Sequence, residues 1–389
     1  MQFANRLARL GTESAFEVLA RAKQLEARGK SVVHLEIGEP DFDTPRNICE
    51  AAKKAIDAGY THYCPSAGIP EARKAVAEYF SKTRGVNAAV ENVVIMPGAK
   101  PLIFNVIFAL VNEGDEVIYP NPGYPIYESV VDYCGAKAVP MHLREDVNFR
   151  FSVDDLAALI TPKTRMMIIN SPQNPTGGVL TREDLEAIYA LAKKHDLWIM
   201  TDEIYSRIVY DAEFQSICSV PGALERTIAI DGMSKTYSMT GWRLGYGVMP
   251  KTVAEVQTKL AINNFSCTAT FAQHALIEAL TGPQRDVDKM VAEFQRRRDV
   301  IVEGLNKIDG VSCTMPLGAF YVFPNVTGTG FGSKELATRL LDEAGIACLS
   351  GTAFGSFGEG YLRFSYANSV ANIREALARF EKFLVGAVA

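Results

Sequence analysis

Between about residue 45 and residue 250 the chain alternates helix-like and strand-like segments, the pattern of an α/β domain built on a mainly parallel sheet. Short apolar runs mark the strands: Val93–Met96, Glu116–Tyr119, Met166–Ile169, Leu197–Met200 and Thr227–Ile230. Thr44-Pro45 opens a helix with a cap residue followed by proline in the first turn, and Ile69-Pro70 precedes another over Glu71–Arg84. Thr181 with Asp184 three residues on reads as a capping box for a helix ending near His195. Helices on both faces of one sheet make a three-layer sandwich.

Such a fold places ligand groups on the loops at the carboxyl ends of its strands. Here those loops are polar or glycine-rich. Met96 leads into Pro97-Gly98-Ala99-Lys100, Tyr119 into Pro120-Asn121-Pro122-Gly123-Tyr124, and Ile169 into Asn170-Ser171-Pro172-Gln173-Asn174-Pro175-Thr176-Gly177. Met200 leads into Thr201-Asp202-Glu203-Ile204-Tyr205, and Ile230 into Asp231-Gly232-Met233-Ser234-Lys235.

Past residue 280 the style changes to a long charged helix (Asp286–Lys307), a strand over Gly318–Phe323, a helix near Ser333–Ala344, a strand at Tyr361–Ser365 and a final helix. The 389 residues exceed one ordinary domain. We expect a large domain over residues 46–280 and a smaller α+β domain formed by 1–45 with 281–389. A net charge of -5, with Lys and Arg spread along the chain, argues against nucleic acid as a partner. The first residues lack the uninterrupted apolar core of a signal peptide, and no run nears the roughly 20 apolar residues of a membrane span. Seven singly scattered cysteines without a Cys-x-x-Cys pair suit a reducing compartment, so the expected location is the cytoplasm and no metal site is expected.

Several loop residues carry possible chemistry. A lysine on a turn is ordinarily a surface group. Lys235, however, follows a buried strand in Ser234-Lys235-Thr236-Tyr237-Ser238-Met239-Thr240-Gly241-Trp242-Arg243, where small, hydroxyl and tryptophan neighbours point to a packed loop that would make its amine nucleophilic. Asp202 puts a carboxylate at the tip of a strand buried on both faces, either as a helix cap or as the partner of a cation. Tyr205 is a hydroxyl donor or simple packing. Asn174 sits in a turn stiffened by proline and glycine. Gly98-Ala99-Lys100 opens a helix beginning near Pro101, whose free N–H groups and dipole make a phosphate seat. Arg363, between aromatics in Tyr361-Leu362-Arg363-Phe364, asks for a carboxylate, from a structural salt bridge or from a ligand.

In order and rough spacing, Asn174-Pro-Thr-Gly, Asp202-Glu-Ile-Tyr205, Ser234-Lys235 through Arg243 and Tyr361-Leu-Arg363 resemble the class I/II aminotransferases of pyridoxal 5'-phosphate (PLP) fold type I, and within them the bacterial and archaeal aspartate aminotransferase branch. Gly38-Glu-Pro-Asp-Phe42 and Tyr63-Cys-Pro-Ser-Ala-Gly68 extend the likeness over nearly the whole chain. The resemblance implies a large domain with a mainly parallel seven-stranded sheet. It implies that Lys235 carries PLP as a Schiff base and shuttles the proton between the substrate α-carbon and the cofactor's C4'. It assigns Asp202 to the pyridine nitrogen, Tyr205 and Asn174 to the 3'-oxygen, and Tyr124 to stacking on the ring, where many relatives have Trp. The phosphate falls to the Ala99 and Lys100 N–H groups, Arg243, Ser234 and, from a neighbouring subunit, Tyr63. Some relatives use a serine three residues before the lysine, where this chain has Gly232. Arg363 would bind the substrate α-carboxylate, with the Gly38 backbone closing over it and Tyr124 and Asn174 alongside.

A homodimer with shared sites follows from that assignment, as does closure of the small domain over the substrate. The implied reaction is transfer of an amino group from an L-amino acid to a 2-oxo acid in a ping-pong scheme, with aspartate and 2-oxoglutarate expected first. Alanine, aromatic or other neutral donors stay open, because Asn263–Thr268, which should approach the neighbouring site, holds no positive charge, and Phe265 and Tyr127 suit an apolar side chain. Two further readings share these residues: a PLP-dependent carbon–sulfur lyase and a non-catalytic PLP-binding module.

Overall fold

The computed structural model describes residues 2–388. An initial short strand, β1 (Val33–His34), precedes the seven strands of the central sheet. These are β2 (Val93–Met96), β3 (Glu116–Asn121), β4 (Lys137–His142), β5 (Thr164–Asn170), β6 (Trp198–Asp202), β7 (Thr227–Gly232) and β8 (Gly245–Val248). They lie in the order β2-β8-β7-β6-β5-β3-β4, with β8 antiparallel to both neighbours and every other pair parallel. This is an α/β fold with a mainly parallel sheet.

The strand residues explain why both faces are covered. Val93, Ile95, Met167, Ile169 and Ile199 point into one apolar layer with Val76, Phe80 and Leu276, while Val94, Met96, Met166, Ile168 and Met200 point into the other with Leu102, Val106 and Val131. Successive side chains alternate between layers, so a continuous apolar run buries a strand on both sides. Pairing then sets the strand ends level: Asn170 stands opposite Asp202, and Asp202 opposite Ile230.

Beyond the sheet, β9 (Tyr321–Val322), β10 (Ile346–Ala347), β11 (Leu349–Ser350) and β12 (Leu362–Ser365) form two small sheets. β1 pairs with β10 in parallel, and β11-β12-β9 are antiparallel. The N-terminal segment is thus joined to the C-terminal part by backbone hydrogen bonds. A core of Phe294, Phe320, Leu336, Phe364 and Phe380 lies beneath them.

Four local expectations change. Thr44 does not cap the helix Arg46–Asp57; its hydroxyl donates to the Ser238 carbonyl and accepts from Trp242 Nε1. The helix expected near Pro101 begins at Ala99. Of Gly318–Phe323 only Tyr321–Val322 forms a strand, because Ala319 takes a left-handed φ of 58° that breaks the extended backbone. β4 and β8 lack a strong apolar run: β4 is an edge strand with Pro140 and alternating exposure, and β8 carries two glycines. The Thr181–Asp184 capping box is present as read.

Candidate active site

Eleven of the twelve proposed site residues line one cavity of about 480 Å³ at the carboxyl ends of the strands: Gly38, Ala99, Lys100, Tyr124, Asn174, Asp202, Tyr205, Ser234, Lys235, Arg243 and Arg363. Its volume suits a small-molecule site. Tyr63 is the exception, 89% exposed on the outside of the chain.

Lys235 lies in a one-turn helix, Met233–Thr236, that directly continues β7. Its Nζ donates to the Gly38 carbonyl at 2.5 Å, so it is no surface lysine. Burial pushes its pKa down to about 8, against the pull of Glu39, with Arg363, Arg243 and Lys100 adding to the fall. An amine with that value is neutral in roughly one molecule in ten at pH 7, far more than an ordinary lysine with its pKa near 10.4, and the neutral form is the nucleophile.

Asp202 ends β6 and is 4% exposed. No helix follows it, which removes the capping role: Oδ1 accepts from the Ile204 N–H at 3.2 Å within a turn. Oδ2 accepts from Tyr127 Oη at 2.7 Å. Burial raises its pKa to about 6, with the two hydrogen bonds opposing. No cationic side chain pairs with it among the described residues. A buried carboxylate so placed calls for a cationic partner. Tyr127, expected against a substrate side chain, lines the cavity and also supports Asp202 through its hydroxyl. Phe265 packs against the sheet core and does not line the cavity.

Tyr205 Oη and Tyr321 Oη share a hydrogen bond of 2.8 Å. Burial raises both pKa values, so both hydroxyls stay protonated and can donate. Asn174 is held by its N–H to Asn170 Oδ1 at 2.9 Å, and Asn170 also ties to the Asp202 carbonyl.

At the other end, the helix Ala99–Leu110 starts after Gly98, whose φ is 102°. A side chain on Gly98 would collide with the Arg243 guanidinium, and one on Gly245 with the Ala99 N–H. These glycines let an arginine and a helix N-terminus meet at one point, beside Ser234, and this cradle fits a phosphate group.

Arg363 pairs with no carboxylate among the described residues. Nη2 donates to the Glu36 carbonyl, Nη1 reaches Asn174 Oδ1 at 3.4 Å, and the buried Nε has no partner. Tyr321 and Phe354 flank the guanidinium with ring centroids at 4.6 and 5.0 Å. An unpartnered buried N–H is costly, and a ligand carboxylate would satisfy it. Arg363→Lys should therefore raise KM for the amino donor roughly 30-fold, about 2 kcal/mol for a lost charged hydrogen bond. Steady-state kinetics and cofactor absorbance together check this, the absorbance staying unchanged.

Sequence reading missed Glu13 and Tyr321, and the bond of Tyr127 to Asp202. Glu13 reaches in from the N-terminal segment to pair with Lys100 and accept from Tyr124 Oη at 3.0 Å. No local motif marks it. Tyr321 sits in the run Gly318–Phe323, which reads only as a strand.

Comparison with known proteins identifies the family. Residues 30–380 match the family model described as aminotransferase class I and II. The chain is 43% identical over 359 residues to aromatic-amino-acid aminotransferase 2 of Thermococcus litoralis, covering 91% of this chain and 92% of that one. It is 42% identical over 372 residues to an aspartate aminotransferase of Pyrococcus horikoshii, covering 95% and 94%. Among solved structures it superposes on Thermus thermophilus aspartate aminotransferase with maleate at a TM-score of 0.95, with 37% identity over 98% of this chain and 99% of that one. A buried amine, a cation-seeking carboxylate and a carboxylate-seeking arginine, set in a fold shared along its whole length with these enzymes, make the chain a member of the class I and II aminotransferases.

Proposed function

We propose that the protein transfers the amino group of an L-amino acid to a 2-oxo acid in a ping-pong cycle with PLP held on Lys235. The observation that carries this reading is the single cavity holding the Lys235 amine, the Asp202 carboxylate with no cationic partner and the unsatisfied Arg363 Nε. When bound, PLP supplies an electron sink for the pair left on the substrate α-carbon. Lys235 Nζ would hold that group and, once released from it, would carry the proton between the substrate α-carbon and C4'. Asp202 pairs with the pyridine nitrogen, and Tyr205 and Asn174 donate to the 3'-oxygen. Tyr124 stacks on the ring. The Ala99 and Lys100 N–H groups with Ser234 and Arg243 hold the phosphate. Arg363 orients the α-carboxylate, and Gly38, whose carbonyl now accepts from Lys235, lies over it. Residues 46–280 form the cofactor-binding domain, and 1–45 with 281–389 the domain that shuts over the substrate and excludes water.

The proposed donor and acceptor are aspartate and 2-oxoglutarate. Lys100, at the cavity wall, is a cation that a distal carboxylate can meet, and several relatives carry the name aspartate aminotransferase. Alanine, aromatic or other neutral donors form the second reading, because Glu13 already neutralises Lys100 and Phe16, Ile37 and Ile103 add apolar lining. A panel of donors ranked by kcat/KM decides between them. Aspartate should exceed phenylalanine and alanine by about tenfold, the weight of one charged contact; the reverse order assigns the site to neutral side chains.

The exposure of Tyr63, with Tyr60 at 47%, fits a residue that serves the site of a second copy in a homodimer. Tyr63→Phe should weaken phosphate binding at that site by about 1 kcal/mol, roughly fivefold in cofactor affinity. A fully active monomer in sedimentation contradicts the shared site. No described helix is long and apolar enough to cross a membrane, and the seven free cysteines suit a reducing cytoplasm.

A further inference from the structure

A second charged cluster joins the strand ends that carry Asp202 and Lys235. Arg84, the last residue of the helix Pro70–Arg84, is 4% exposed. It donates from Nε to Glu203 Oε2 at 3.0 Å and from Nη2 to Asp231 Oδ2 at 2.8 Å. Glu203 directly follows Asp202, and Asp231 lies four residues before Lys235. Other donors complete both carboxylates: Ser216 Oγ on Glu203, and Ser206 Oγ, Tyr246 Oη and the Gly232 N–H on Asp231. Phe80 and Phe214 cover the guanidinium, with ring centroids at 5.4 and 4.9 Å.

Three buried charges are a poor way to stabilise a core, since well-packed apolar residues often do as well or better. What a guanidinium fork does supply is fixed geometry between two carboxylates on different strands. Burial raises the pKa of each carboxylate and Arg84 pulls both back down, so the triad depends on the arginine staying in place.

We propose that Arg84 is a positioning residue for amino transfer: by bridging Glu203 and Asp231 it fixes the end of β6, which carries Asp202, against the end of β7, which leads into Lys235. This rests on the roles given above to Asp202 and Lys235. A shift of some tenths of an ångström between those two groups would misalign the ring nitrogen with its carboxylate while leaving substrate binding at Arg363 alone.

The test uses the full-length holoenzyme, with rates expressed per bound cofactor. Arg84→Lys keeps the charge and loses the fork. Its kcat should fall about tenfold with KM changed less than about threefold, and the pH midpoint of the cofactor's visible band should move by roughly half a unit. Glu39, Arg243, Lys100 and Arg363, the charged groups facing Lys235, are untouched, so the moved midpoint reports geometry. A variant that melts lower but keeps the wild-type kcat and midpoint shows a purely structural role and overturns the proposal. If Arg84→Lys fails to fold, Glu203→Ala and Asp231→Ala each cut one tie. A similar loss of kcat at constant KM in both supports the bridge, and a wild-type kcat in either overturns it. Failure of the underlying reading is seen separately, as wild-type protein in which borohydride fixes no cofactor to Lys235.

Discussion

Lys235→Ala, reconstituted with cofactor, is expected to lose roughly 10⁴-fold in kcat, the upper end of what a positioned proton carrier contributes. The loss follows from geometry: Nζ is the one amine the β7 end delivers into the cavity, against the Gly38 carbonyl. The variant should still bind cofactor through the phosphate cradle and Asp202, but borohydride should no longer fix it to the chain. The wild-type apoprotein adds a pH signature. Because burial lowers the Lys235 pKa to about 8, its neutral, nucleophilic form grows as pH rises. The rate of covalent cofactor capture should climb with pH and level off above about 8, where an exposed lysine would keep climbing toward its ordinary value near 10.4. Stopped-flow absorbance measures this directly.

The second large effect belongs to Asp202. Asp202→Asn keeps the shape and an oxygen for Tyr127 but removes the charge that balances a protonated ring nitrogen. A loss of about 10²- to 10³-fold in kcat is expected, the scale of one electrostatic donor removed from a reacting centre. The same substitution should stabilise the apoprotein. The folded pKa of Asp202, about 6, lies above the unfolded value near 3.9. The protonated form is thus the comfortable one, and stability present below the unfolded value is lost as pH rises through about 6. At pH well above 6 this costs on the order of 3 kcal/mol, two units at 1.36 kcal/mol each. Apo Asp202→Asn should accordingly melt higher than wild type in mild base, with the gap closing in acid. Cofactor should reverse the order by giving the wild-type carboxylate its cation. Melting curves at two pH values, with and without cofactor, check both halves.

These two residues were legible because a parallel sheet delivers its loops to one edge. Asp202 and Lys235 each follow an apolar run, and β5, β6 and β7 align in register, so reading the ends of the runs amounts to reading the site. Arg363 was legible for a different reason: a lone cation between aromatics asks for an anion, and none pairs with it among the described residues. Other features depend on tertiary approach. Glu13 arrives from more than a hundred residues before Tyr124 and from 87 before Lys100, without any local pattern. Tyr127 reads only as an apolar neighbour of the substrate until the chain carries Asp202 to its hydroxyl. β8 is hidden because Gly245 and Gly247 weaken every strand signal. Gly245 is required where the backbone passes against the Ala99 N–H, so the need of the site erased the mark of the strand.

The most direct test of the account is a half-reaction. Holoenzyme is mixed with excess amino donor in the absence of any 2-oxo acid, and both the released oxo acid and the cofactor spectrum are followed. Storage of the amino group on the cofactor predicts one equivalent of 2-oxo acid per site, no free ammonia, loss of the visible band, and its return when 2-oxoglutarate is added. Continued release of oxo acid and ammonia beyond one equivalent, with the band retained, would contradict amino transfer at Lys235.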